Sequence, residues 1–595
     1  MSREFHYTWI WDLESTPEAL WPLVSDTNRF NRDTLLPPIQ FMGIENGVKH
    51  VRFKIPIFRV EWSEEPFEWI YPYRFGILRR YHKGPLSEMR VDCSLEARQP
   101  SGTRLTYDLW VKPANILGSL GIPLAIGYAS AKLFGNALKH YDKILVRGDS
   151  ILAHAGAHKL SFGGRNRLGI LTERLIQQNI DEPTIKRLSE FLDRADDLSV
   201  QRMRPYALAD TWNIPRQVVL ETFLRATRVG LLDMYWDLLC PECRGVTEGH
   251  SRLSDVHAHS HCNTCQIDFT ANFDHNIEVI FRPNASVRSV DANTEFCVGS
   301  PQRQPYKAFS LIVPEGEELP FDSILVEGRY TLRASGIAGS YALLAAPNAP
   351  NKLDVVADEK GWPYDETSVG FMPHIKLINK TDQARTFELE RTAWSDQAAT
   401  AADVTTLQVF RDLFSSEVLR PGEEISVGSV TLMFTDLRGS TKLYREIGDA
   451  SAFGRVREHF DVLERAIAAE GGAIIKTMGD SVMASFRKPS SALRAIWNAQ
   501  QNINEPLRLK VGIHHGPCIV VNLNDRLDYF GSTVNIAARL PTFSNGDEII
   551  FSESIRHDPD TQMLLEDKAK PNSLIGFQGE IKGYDEIFPL WRMRI

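Results

Sequence analysis

Two aspartates stand 44 residues apart near the C-terminus and are the residues best suited to chemistry. Asp436 closes the apolar run Val430-Thr-Leu-Met-Phe-Thr-Asp436 and opens the tight turn Leu437-Arg-Gly-Ser-Thr441. Asp480 lies in Lys476-Thr-Met-Gly-Asp-Ser481, the expected tip of a hairpin between Ala473–Thr477 and Ser481–Phe486. Carboxylates at the ends of adjacent strands, with little other charge beside them, suit hard divalent cations and a polyphosphate. A second constellation is Cys240-Pro-Glu-Cys243, then eighteen residues, then Cys262-Asn-Thr-Cys265. Each Cys-x-x-Cys turn aims two sulfurs at one point, so the pair of knuckles predicts a structural zinc ribbon with no open position for catalysis. His250, His257, His259 and His261 crowd the same loop, either as solvated side chains or with one of them replacing a cysteine ligand.

The elements that must position these groups follow from pattern and length. At 595 residues the chain is too long for one core, and about three to five domains are expected. Hydrophobic content of 43%, charged content of 24% and a net charge of −9 describe a globular protein with no global pull toward nucleic acid or an anionic surface. Met1 to Glu14 has no apolar segment of the signal-peptide kind. The uncharged run Pro113 to Ala131 holds two prolines and three glycines and reads as a loop entering a core helix, so no membrane span is expected. Free cysteines and the paired knuckles suggest a reducing, cytoplasmic setting.

Residues 1–148 read as an α+β unit. Phe5, Tyr7, Trp9 and Trp11 alternate with polar residues, Thr16 caps a short helix with Pro17 at its first position, and a helix from about Leu124 to Leu145 closes the unit. This order of strand, small helices, antiparallel sheet and long terminal helix resembles the START-like helix-grip fold. That likeness implies an apolar cavity for a small-molecule ligand, and core packing by Trp9, Trp21, Trp62 and Trp69 is the alternative. Residues 149–239 read as helical. Tyr206 to Pro215 resembles the first half of a helix-turn-helix, with Arg216 and Arg225 placed for a reading face, but the acidic chain argues against nucleic acid. The zinc ribbon occupies 240–266, and a β-sandwich with strands such as Lys307–Val313, Ser323–Leu332, His374–Asn379 and Arg385–Trp394 occupies 267–402. A helix capped by Asp403, with Val404, Leu407, Phe410, Phe414 and Val418 along one side, is expected in 403–426, as a transmitter or as a packed linker.

From about Val427 the order is strand, helix, strand, hairpin, helix, strand, helix, strand. Ala452 to Glu470 carries Phe453, Val456, Phe460, Leu463 and Ile467 on one face. Four segments here resemble class III nucleotidyl cyclases: Phe434-Thr-Asp-Leu-Arg-Gly-Ser-Thr441, Lys476-Thr-Met-Gly-Asp480, Val511-Gly-Ile-His-His-Gly516, and Asp528-Tyr-Phe-Gly-Ser-Thr-Val-Asn-Ile-Ala-Ala-Arg539. The upstream order resembles a group of bacterial multidomain members. The resemblance implies a multidomain α+β chain ending in a ferredoxin-like α/β catalytic domain at 427–595. It implies that Asp436 and Asp480 hold two Mg²⁺ or Mn²⁺ ions per site, and that the backbone of Gly439, Ser440 and Thr441 cradles phosphates. Asn535 then orients the ribose, Arg539 stabilises charge at the α-phosphate, and Lys582 contacts the terminal phosphates. Asn535 and Arg539 are four apart, so both can face one ligand.

The purine is read by Lys476 and Asp528. Adenine offers an acceptor at N1 and a donor at N6, which match a donor-only lysine and an acceptor-only aspartate. Guanine offers the reverse and leaves both charges mismatched, a penalty on the order of a thousandfold. The resemblance therefore implies adenylate cyclase activity on ATP, yielding 3′,5′-cyclic AMP and pyrophosphate. It also implies a head-to-tail homodimer whose sites draw metal ligands from one copy and base, ribose and transition-state residues from the other. A guanylate cyclase and a noncatalytic nucleotide-binding scaffold are the alternatives.

Overall fold

The computed structural model describes residues 4–594, apart from 46–47, 54–58, 148–159, 179, 196, 242–245, 263–266, 291–294, 305, 338, 359–360, 363–365, 392–396, 501–507 and 569–572. The chain folds into two compact units, one of residues 1–160, 190–201 and 289–396, the other of 161–189, 202–288 and 397–595.

In the first unit the strand Phe5–Leu13 pairs antiparallel with Thr103–Pro113, as its alternating aromatics require. Leu86–Ala97 and Arg74–Lys83 extend the same sheet. The helix Ala131–Arg147 lays Phe134, Ala137, Leu138 and Tyr141 on this sheet, in one core with Trp21, Trp69 and Tyr107. Trp21, Trp62 and Trp69 are buried, and Trp9 packs edge-on against Phe134. These tryptophans are therefore core packing. Thr16 caps the helix Pro17–Val24 by accepting from the Ala19 amide. The sheet continues without a break into the later strands, because Trp69 and Ile70 pair with Ser310 and Phe309. Lys307–Val313, Arg385–Arg391 and Gly328–Ala334 carry it on. A smaller sheet of Glu318–Asp322, His374–Asn379 and Lys352–Ala357 packs with these later strands in a second core, with Phe309 meeting Phe321 edge to face.

The segment after Pro113 departs from the loop expected there. Asn115 caps a helix over Ile116–Ile122, which runs through a π-helical stretch, Pro123–Ser130, into Ala131–Arg147. The wider π turns accommodate a proline that has no N–H to donate. Ile116–Val146 is long and apolar enough to cross a membrane by length and composition, and only 11% of its apolar window is buried.

In the second unit the helices Pro205–Trp212 and Arg216–Val229 are joined through Asn213 in the left-handed region (φ 54°). Arg216 is held by both carboxylate oxygens of Asp210 at 2.8 Å. Leu232–Leu239 lies between Val246–His250 and Ile277–Pro283 in a three-stranded sheet. Two short helices, Ala401–Thr405 and Gln408–Leu413, replace the single helix expected there. Thr400, not Asp403, is the cap, and Asp403 returns the bond to the Thr400 amide in a capping box. At the break the Thr405 and Thr406 hydroxyls bond back to the Ala401 and Ala402 carbonyls.

The C-terminal domain is built on an eight-stranded sheet. Its central strand Glu424–Arg438 pairs with Ser481–Phe486 on one side and Arg508–Leu523 on the other. Ala473–Met478 forms the edge hairpin, and Glu548–Ser552, Ile587–Arg594 and Leu574–Glu580 complete the far side. The helix Asp449–Ala469 buries Val456, Leu463 and Ile467, but Phe453 faces outward at 60% exposure.

Candidate functional site

The acidic pair is positioned by strand register. Thr435 is paired with Val482, so Asp436 stands opposite Ser481, whose hydroxyl donates to Asp436 Oδ1 at 3.1 Å. Lys510 lies beside Asp436 on the neighbouring strand and brings its ammonium to 3.5 Å from Oδ2. Asp480 occupies the tip between Met478 and Ser481, directly after Gly479, whose φ of +65° only glycine adopts without strain. Asp480 Oδ2 is buried without a hydrogen-bond donor. An acceptor-only oxygen left so costs about 1–3 kcal/mol, and a bound dication would supply its missing partner. Among the described residues no group of three or more His, Cys, Asp or Glu side chains stands ready for a metal, so further ligands would be oxygens of phosphate, water or backbone carbonyls.

Gly439 takes φ +77° ahead of the helix Ser440–Ile447, so the chain turns sharply from Asp436 into amides at a helix N-terminus. Thr441 lies in the first turn of that helix.

The second group forms a cleft of about 460 Å³. Lys476, Asp528 and Asn535 line it, from the edge hairpin, the strand Arg526–Phe530 and the helix Ser532–Arg539 respectively. Lys476 donates to Asp528 Oδ2 in a close ion pair. Asp528 is buried at 6% exposure and its other oxygen accepts from the Tyr529 amide at 2.9 Å. The two charges thus satisfy one another, as a buried carboxylate requires. Arg539 ends the helix that carries Asn535. Lys582 lies in the turn after the strand Leu574–Glu580, where a Cβ on Gly583 would stand 4.0 Å from the Arg539 guanidinium and Tyr584 donates to the Ser532 carbonyl at 3.3 Å. Asn535 and Arg539 thus share one helix, and the turn that holds Lys582 packs beside it through Tyr584. Asp436 and Asp480 do not line this cleft.

Three contributors escaped sequence reading. Lys510 had a visible signal, a cation set between Leu509 and Val511 in an apolar stretch. Gln408 and Arg411 had none. The Gln408 side-chain oxygen accepts from the Ile474 amide at 2.7 Å, two residues before Lys476. Arg411 donates to the Leu527 carbonyl at 3.0 Å, next to Asp528, and lies over the Tyr529 ring. One helical turn upstream of the domain therefore grips both strands that carry the cleft's charged pair. Asp403 and Asp274 together clasp Arg487, which follows the strand Ser481–Phe486.

His514 and His515 are half-buried on opposite faces of their strand and reach Ser552 at 2.7 Å and Thr431 at 2.9 Å respectively. Burial pushes the His514 imidazole down to about 4, with His515 acting in the same direction. His514 stays neutral in the fold but protonates near 6.5 when unfolded. Stability is therefore complete above about pH 6.5 and falls as pH drops toward 4. The expected loss is about 3 kcal/mol between pH 7 and pH 4. Urea midpoints measured across that window should decline, and a His514→Gln protein should show a shallower decline. Equal slopes would remove His514 from the account.

Of the predicted zinc ligands, Cys240 and Cys262 are buried at strand ends, while Cys243 and Cys265 lie outside the described residues.

Comparison with known proteins bears on two segments. The family described as "Adenylate and Guanylate cyclase catalytic domain" matches residues 423–584, the sheet and helices that carry both groups. The C-terminal domain is a class III nucleotidyl cyclase domain. A family of unknown function matches residues 170–315. An adenylate cyclase of Lachancea kluyveri is 29% identical to the cyclase region over 174 residues, 24% of this chain and 9% of that one. An adenylate cyclase of Mycosarcoma maydis is 30% identical over 157 residues, 22% of this chain and 6% of that one. This chain thus spans under a tenth of the length of either relative. The adenylyl cyclase CyaB from P. aeruginosa is 23% identical, with a TM-score of 0.24, covering 29% of this chain and 96% of that one.

Proposed function

We propose that this protein is an adenylate cyclase that forms 3′,5′-cyclic AMP and pyrophosphate from ATP. The observation that carries the reading is the cleft in which Lys476, Asp528 and Asn535 converge from three separate segments. Lys476 donates to adenine N1 and Asp528 accepts from the N6 amino group, exchanging their mutual ion pair for the base. Asn535 holds the ribose so that its 3′-oxygen faces the α-phosphorus. Arg539 and Lys582 meet the phosphate charge. The amides of Gly439, Ser440 and Thr441 receive the phosphate tail at the helix N-terminus. Asp436 and Asp480 hold Mg²⁺ or Mn²⁺, which when bound lowers the pKa of the ribose hydroxyl and neutralises the triphosphate. The 3′-hydroxyl gives up its proton to solvent as its oxygen bonds to the α-phosphorus, the bond from the α-phosphorus to the α–β bridging oxygen breaks, and pyrophosphate leaves.

The acidic pair and the purine cleft are complementary halves, so the active form is a head-to-tail homodimer. Exposed apolar side chains near the cleft support it, with Phe530 at 65%, Leu523 at 51% and Met478 at 43% exposure. Cys240, Cys243, Cys262 and Cys265 hold a structural zinc, a reading that rests on their spacing. The N-terminal unit acts with the other upstream segments to regulate turnover. The grip of Gln408 and Arg411 on the purine-reading strands supports a route for that control.

The test is product analysis of the purified protein supplied with ATP and GTP in parallel, with Mg²⁺ or Mn²⁺. Cyclic AMP is the expected product. Cyclic GMP alone would replace the substrate assignment, and neither product would leave a nucleotide-binding scaffold.

A further inference from the structure

The helical segment after Pro113 presents an apolar surface to water. Ile116, Leu117, Leu120, Leu124 and Tyr128 are each between 68% and 79% exposed. Such a run is not ordinary scatter, because one stretch of helix carries all five. Nor is it a poorly seated helix. A Cβ on Gly118 would lie 2.0 Å from the Pro85 carbonyl oxygen, and one on Gly127 would lie 2.7 Å from the Tyr7 ring. Ile122 is buried in the core between them. The inner side is therefore closely docked, and the outer side is held outward by that docking.

The charges nearby have one sign. No Asp or Glu occurs from Pro113 to Tyr141. Lys132, Lys139 and Lys143 are exposed on the helix Ala131–Arg147, opposite the buried Phe134, Leu138 and Tyr141. Asp142, the first acid to follow, is engaged by the Glu14 amide and by the amide and hydroxyl of Ser15. An exposed apolar face continued by a cationic face is the arrangement that seats a helix in the plane of a lipid headgroup layer. The same observations argue against a span, since the second half of the helix commits its apolar side to the protein core.

We propose that this segment is a peripheral membrane-binding surface, taking an anionic lipid bilayer as its partner. Ile116, Leu117, Leu120, Leu124 and Tyr128 enter the acyl boundary, and Lys132, Lys139 and Lys143 meet the headgroup phosphates. The apolar stretch from Ile116 to Ser130 is roughly 20 Å long, enough to lie along the interface. This inference is independent of the cyclase reading, because it uses no residue of the catalytic domain.

Flotation of the full-length protein with phosphatidylcholine vesicles, with and without phosphatidylglycerol, tests it. Binding to the anionic vesicles is expected and should weaken with salt. Leu120→Glu with Leu124→Glu should reduce binding more than about tenfold, and Lys132→Gln with Lys139→Gln should reduce it about fivefold per lysine on anionic vesicles only. Circular dichroism should be unchanged, since all four side chains are exposed. Protein that stays in the soluble fraction with both vesicle types would overturn the proposal. So would equal binding by the variants, or sedimentation showing that Leu120→Glu with Leu124→Glu instead abolishes self-association, which would make a second copy the occupant.

Discussion

Mixing an Asp480→Ala protein with an Arg539→Ala protein should restore cyclase activity that neither has alone. Asp480 belongs to the acidic half-site and Arg539 to the helix beside the purine cleft. Each substitution alone should lower kcat by about a thousandfold or more, through a lost metal ligand in one case and a lost phosphate contact in the other. After free exchange of subunits, half of the dimers are mixed, and each of those carries one intact site of two. Activity at equal mixing should therefore reach about a quarter of the wild-type value. The readout is cyclic AMP formed as a function of mixing ratio, with a maximum at equality. A flat, inactive series at every ratio would show that the two half-sites do not meet across subunits.

The second large effect concerns the purine. Lys476→Glu combined with Asp528→Asn should reverse the pattern of donors and acceptors in the cleft. The glutamate would accept from guanine N1–H, and the asparagine amide would donate to O6. kcat/KM for ATP should fall about a thousandfold, with that for GTP rising to exceed it. The single Lys476→Ala change is expected to cost stability as well as affinity, because it leaves Asp528 at 6% exposure without its cation. Parallel kinetics with both nucleotides decide the matter. An unchanged preference for ATP in the double variant would place purine recognition elsewhere.

Much of the site was legible from residue order. Asp436 and Asp480 were expected at adjacent strand ends, and the paired strands Glu424–Arg438 and Ser481–Phe486 bring them there. Asn535 and Arg539 were expected on one helix, and Ser532–Arg539 carries both. These are local facts, set by period, turn chemistry and spacing along the chain. Other readings failed where local pattern competed with tertiary packing. Phe453 has the helical period of a core residue, yet Ala452, Val456 and His459 take the buried face and leave it exposed. Pro113 to Ala131 has the glycine and proline content of a loop, yet close docking on Pro85 and Tyr7 holds it helical.

What residue order alone determined was the chemistry available: two acceptor carboxylates, a donor–acceptor pair suited to adenine, and the type of helix or strand that carries each. What only the tertiary structure decided was adjacency between segments far apart in the chain. The ion pair of Lys476 with Asp528, the approach of Lys510 to Asp436, and the hold of Arg411 on Leu527 all join distant positions. Sequence periodicity reports which face of an element is apolar, but the partner of that face is chosen by how strands register and helices pack, and no local pattern encodes it.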